Sequence, residues 1–75
     1  MPFPHEWAAR QHDPSKYDQF RRVNDAFGKG IHAIYGRRKT DKKWELQTIR
    51  FNKEKFTPEQ AKEWLKKHDY KTNIE

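Results

Sequence analysis

The chain has no cysteine among its 75 residues, which excludes disulfide staples, thiolate zinc sites and cysteine nucleophiles. Aliphatic side chains are scarce too, with Val, Ile and Leu numbering only seven. No apolar run approaches the roughly 18 residues that a membrane-spanning helix needs. The opening MPFPHEWAARQHD lacks the apolar core of a secretory leader. The sole serine, Ser15, falls in a proline turn, so no serine-histidine-acid triad can be assembled. These absences lead us to expect a soluble, cytoplasmic protein that is not an enzyme and carries no cofactor.

What is present is aromatic and charged. Eleven Phe, Trp and Tyr outnumber the aliphatics, and each can bury a large area. Charged residues make up 37% and hydrophobic residues 32%, a balance that leans toward disorder, but a disordered chain would be poor in aromatics. The expectation is one small domain with a thin aromatic core, its rim covered by long charged side chains. The net charge of +6 would attract phosphates, acidic proteins or anionic lipid, and equally keeps a small protein in solution.

Residues 56–70, FTPEQAKEWLKKHDY, form the most fully specified segment. Thr57 is the predicted N-cap, Pro58 sits at the first helical position, and Gln60 completes a capping box. Ala61, Trp64, Leu65 and His68 fall at i, i+3, i+4 and i+7 and define one apolar stripe. The segments GIHAIYG (30–36) and WELQTIRF (44–51) read as strands of an antiparallel hairpin. The apolar face changes partway along 44–51, from Trp44 and Leu46 to Ile49 and Phe51, which points to a bulge or a strong twist. Residues 17–25 fit a strand or a short helix, and a strand is chosen because a sheet of two would be marginal. DAFGKG (25–30) supplies the following turn. Three prolines lead to reading residues 1–16 as an arm, with a short turn at 6–11 and anchors at Phe3 and Trp7. The predicted fold is therefore α+β: residues 17–75 form a three-stranded antiparallel sheet covered by one C-terminal helix, in the order β-β-β-α. Tyr70 and Ile74 add a further short strand or trail as a tail.

Chemistry-bearing patterns are sparse. HEWAA lacks the second histidine of H-E-x-x-H, and His5, His12, His32 and His68 match no metal-ligand spacing, so no metal site is expected. The hairpin tip RRKTDKKW gathers Arg37, Arg38, Lys39, Lys42 and Lys43 beside Trp44 and one acid, Asp41. Such a finger could lie along phosphates with Trp44 stacked on a base, or be a solvated tip that protects the sheet edge. The second sheet face, read as carrying His32, Ile34, Ile49 and Phe51, is either an apolar patch for a protein partner or is closed by Phe3 and Trp7. The candidate partner-binding residues are Phe3, Trp7, Ile34, Phe51, Arg37 and Arg38.

The order of segments, from MPFPHEWAAR and DPSKYDQFRR to IRFNKEKFTPEQAKEWLKKH (49–68), resembles a small tailed-phage domain. That domain is found near head-maturation protease genes, alone or at the front of larger head-related proteins. Its members often carry Gly where this chain has Asp69. The resemblance implies a phage accessory protein in the host cytoplasm, and it carries over no catalytic residue. The expected function is non-enzymatic binding of a protein partner, either a phage head component or a host factor such as a defence protein. The alternative is a small basic nucleic-acid-binding module built on Arg37, Arg38, Lys39, Lys42, Lys43 and Trp44.

Overall fold

The computed structural model describes residues 4–74. Four antiparallel strands form one sheet: β1 (Glu6–Arg10), β2 (Tyr17–Gly28), β3 (Ile31–Arg38) and β4 (Trp44–Asn52), in the spatial order β1-β4-β3-β2. A 3-10 turn, Pro14–Lys16, precedes β2, and one helix, α1 (Pro58–Lys67), follows the sheet. The α+β class with a C-terminal helix on an antiparallel sheet matches the sequence expectation. The strand count does not.

The extra strand comes from the expected arm. Residues 6–10 pair with β4 from Glu6↔Asn52 to Arg10↔Thr48, where a short turn was predicted. Alanine favours helix and is depleted in strands, so local preference points away from a strand here. The tertiary context overrides it: β1 caps the open edge of β4, and Ala8 and Ala9 are small enough to be fully buried there. A single bridge, Ala9↔Ile74, lays the C-terminal tail beside β1.

Residues 17–25 are a strand, and it runs on to Gly28. Of the two alternatives for 44–51, a bulge or a strong twist, the bulge is present. The β3–β4 register passes from Ile34↔Thr48 to Tyr35↔Leu46, leaving Gln47 as the extra residue. The bulge returns Leu46 to the face that carries Ile49 and Phe51, and Leu46 packs against the same cluster. The apparent change of face in the sequence is thus a one-residue insertion in one continuous apolar face.

That face meets the helix. Ala9, Ile31, Ile49, Phe51, Ala61 and Leu65 form the buried cluster, and Phe51 sits edge-on to both Phe56 and Trp64 at ring distances of 5.4 and 5.7 Å. The helix starts as its sequence requires, with the Thr57–Gln60 capping box closed in both directions. Its end is a Schellman turn. The Tyr70 N–H donates to Leu65 O at 2.8 Å and the Asp69 N–H to Lys66 O at 3.2 Å, with Asp69 held at φ 60°. Tyr70 then lies parallel to the Trp64 ring, and His68 stacks on that ring at 4.1 Å.

Gly36 is a packing requirement rather than a strand boundary. The Tyr17 ring lies on it so closely that a Cβ there would stand 2.4 Å from Tyr17 Cγ. Replacing Gly36 by Ala is expected to cost about 1–3 kcal/mol through displacement of the Tyr17 ring, read as a lower urea midpoint. Asp69→Gly acts in the opposite direction. It relieves a left-handed backbone penalty of about 1–2 kcal/mol and gives back about 0.5–1 kcal/mol of chain entropy, so a net gain of roughly half a kcal/mol is expected in the same assay.

Candidate functional site

The face opposite the helix carries charge rather than an apolar patch. Glu6 on β1 reaches all three other strands: Arg50 Nη1 of β4 at 3.3 Å, His32 Nε2 of β3 at 3.8 Å, and Arg22 of β2 through a two-point contact. One carboxylate thus straps both edges of the sheet together. The Arg22 guanidinium holds the Glu6 carboxyl below its ordinary value, and Arg50 assists against the opposing effect of burial. The His32 ring is fixed in turn, because the Asp25 N–H donates to its Nδ1 at 2.9 Å and leaves the ring proton on Nε2, toward Glu6. Asp25, at φ 54°, also accepts from the Gly30 N–H at 2.9 Å, so the β2–β3 turn and the strap share a partner.

At the other end of this face the chain crosses from β1 to β2, and Glu45 anchors the crossing. It accepts from the Tyr17 hydroxyl at 2.5 Å and lies within 3.5–4.0 Å of Arg38, Lys16 and His12. The His12 Nδ1–H donates to Leu46 O at 2.9 Å, and Gln47 Nε2–H to His12 O at 2.9 Å. Burial, reinforced by the bond to Glu45, pushes the Tyr17 hydroxyl far above its ordinary value of 10.0. The same bond, aided by the surrounding cations, lowers the Glu45 carboxyl.

The hairpin tip is less basic than its sequence. Arg37 donates to Asp18 at 2.9 Å, and Lys42 contacts the same carboxylate at 2.5 Å. Arg38 bonds Asp41 at 3.0 Å through its Nε–H and also faces Glu45. Asp18 is distant in sequence and Glu45 lies just past the tip on β4, so counting only Asp41 underestimated the acids around the tip. Lys39 and Lys43 are exposed there.

The sequence-derived partner surface is therefore not assembled as expected. Phe51 is fully buried in the helix-side core, and Ile49 lies beside it. Trp7 is held structurally: its Nε1–H donates to Phe56 O at 3.0 Å, and Lys53 Nζ lies 4.4 Å from its ring centre. It faces the helix side and cannot close the opposite face. Ile34 is half-buried on the charged face, Arg37 and Arg38 sit in ion pairs, and Phe3 lies outside the described residues.

Two side chains stand out instead. Phe20 is 51% exposed and Trp44 47% exposed. They belong to adjacent rows of the sheet, Phe20↔Gly36 and Arg37↔Trp44. Phe20 lies on the charged face, edge-on to Tyr17 at 5.8 Å. Trp44 lies on the helix face, beyond the helix. Sequence reasoning placed Trp44 in the nucleic-acid alternative and missed Phe20, because the sequence does not show that β2 is an edge strand. Among the described residues, no three His, Asp or Glu side chains are placed to hold a metal ion, and no helix is long and apolar enough to cross a membrane.

The ion pairs set an acid limit on stability. Glu6, Asp18, Glu45 and Asp41 have lowered carboxyl values in the fold, so the unfolded chain binds protons more readily than the folded one. Their contribution is fully present above the ordinary values of 4.5 for Glu and 3.8 for Asp and is lost as pH falls through the folded values. The urea midpoint is expected to be flat from pH 7 to about 5 and to fall below that. Glu6→Gln, which leaves Arg50 facing a neutral group, is expected to cost about 1–2 kcal/mol at pH 7 and to flatten the acid limb.

No protein-family model, curated protein or solved structure matches this chain, so its function is argued from the geometry above.

Proposed function

We propose that this protein is a non-enzymatic protein-binding module that uses the hairpin end of its sheet. The carrying observation is the placement of Phe20 and Trp44. In a chain with so little apolar surface to spare, the two exposed large hydrophobics among the described residues lie in adjacent rows at one end of the sheet, on opposite faces. Aromatic side chains of this kind anchor protein interfaces. The strand that carries Phe20 is also a sheet edge, open to a partner's backbone. In keeping with the tailed-phage resemblance, the partner is a phage head component or a host protein, and the setting is the cytoplasm of an infected cell.

The second reading, nucleic-acid binding through the tip, draws on Trp44 beside the exposed Lys39 and Lys43. It is the weaker one, because Arg37, Arg38 and Lys42 already hold carboxylates that phosphates would have to displace. Pull-down of the tagged chain from phage-infected cells separates the two. A specific co-eluting protein is expected, retained by Arg37→Glu/Arg38→Glu and lost by Phe20→Ala/Trp44→Ala with an unchanged urea midpoint. If instead single-stranded DNA or RNA binds at low salt, with an affinity falling linearly in log salt, the tip reading replaces this one.

A further inference from the structure

The helix leaves part of its own sheet face uncovered, and the uncovered part has a definite composition. The register places Val23 of β2, Tyr35 of β3, and Leu46 and Trp44 of β4 on the helix side. Of these only Leu46 packs against the buried cluster, while Val23 and Tyr35 are half-buried and Trp44 is exposed. The four side chains form a continuous apolar ledge, because Tyr35↔Leu46 are directly paired and Trp44 and Val23 lie one residue pair along the same face. Its charged neighbours are Arg21, directly opposite Tyr35, and Arg37, directly opposite Trp44. Arg37 shares Asp18 with Lys42, so three cations and one carboxylate surround the ledge. Arg21 is exposed and makes no ion pair among the described residues.

We infer that this ledge is the docking surface for an acidic, hydrophobic segment of a protein partner: apolar anchors on Tyr35, Leu46 and Trp44, with Asp or Glu on the flank meeting Arg21. This rests on the protein-binding reading above and specifies the partner's chemistry. Charge complementarity sets the sign of the occupant, since a basic or neutral segment would leave Arg21 facing no counter-charge. The aliphatic content of the ledge sets its class. Leu46 and Val23 offer a nucleobase no stacking plane, whereas they fit Leu, Ile or Phe side chains of a peptide.

The test is a selection of 12-residue peptides from a random display library on the immobilised full chain. Binders are then remeasured by titration against the chain and its variants. Enriched peptides are expected to carry two or more large apolar residues flanked by Asp or Glu. Trp44→Ala should weaken them about tenfold or more. Arg21→Glu should weaken acidic peptides and favour versions with the acids changed to Lys. Phe20→Ala, on the other face, should leave them unchanged. Enrichment of basic or uncharged peptides, or binding indifferent to Trp44→Ala and Arg21→Glu, overturns the acidic-ledge inference. If binding is then lost in Phe20→Ala, the protein-binding reading survives through the charged face. If no peptide is enriched while a 12-nucleotide thymidine oligomer binds and quenches Trp44, both fail together.

Discussion

The contact on which the rest of this structure depends is the seating of α1 on β4, where Leu65 and Trp64 meet the fully buried Phe51 and Ile49. Every other feature answers to its small size. A ten-residue helix covers about 15 Å by 10 Å, whereas four strands of about eight residues offer roughly 26 Å by 19 Å. One helix cannot shield such a sheet in any orientation. The chain covers part of the deficit with the Phe56 entry turn, with Tyr70 stacked on Trp64, and with the tail at Ala9. It leaves the strip from Val23 to Trp44 to solvent or to a partner.

The opposite face meets the same shortage with charge. A sheet with one apolar layer has nothing to place on its second side, and seven aliphatic residues cannot supply another core. Glu6 with Arg22, Arg50 and His32 covers that side with long side chains joined through one carboxylate. Ala8 and Thr48, on that same face, are buried. Such pairs contribute little when isolated in water. Here one carboxylate is shared among three strands, and losing it would leave the half-buried Arg50 opposite a weaker partner. A face built this way is well hydrated and offers little area for apolar docking.

The sequence was legible where local chemistry and tertiary structure agree. The Thr57–Gln60 capping box, the Ala61–Leu65 stripe and the bulge in WELQTIRF each carry their signal within a few residues. It was opaque where distant residues decide. Two alanines in EWAAR argue for helix until the free edge of β4 is known. Phe51 was assigned to the sheet's second face, because a possible bulge in the sequence does not show on which side of it the helix lies. The paired state of the tip depended on Asp18 and Glu45, and Glu45 lies on the strand while Asp18 comes from the far edge of the sheet. Asp69 is a case between the two. The sequence showed an unusual residue after the helix, and the structure shows it bearing the left-handed turn that glycine would adopt more easily.

These constraints also explain why Trp44 remains exposed without an evident structural role. Tyr17 closes over Gly36, Trp7 bonds Phe56 O, and Trp64 carries the helix contact, so each of those rings has a stated packing task. Trp44 has none within the described chain. Its neighbours on the ledge are the remaining apolar side chains of the helix face, and Arg21, with no ion pair among the described residues, lies opposite Tyr35 on that face. A small domain with scarce hydrophobic residues gains stability by burying them, and leaving one of its largest in solvent forgoes that gain. Under the proposed function, a partner would supply the burial area that Trp44 lacks in the isolated chain.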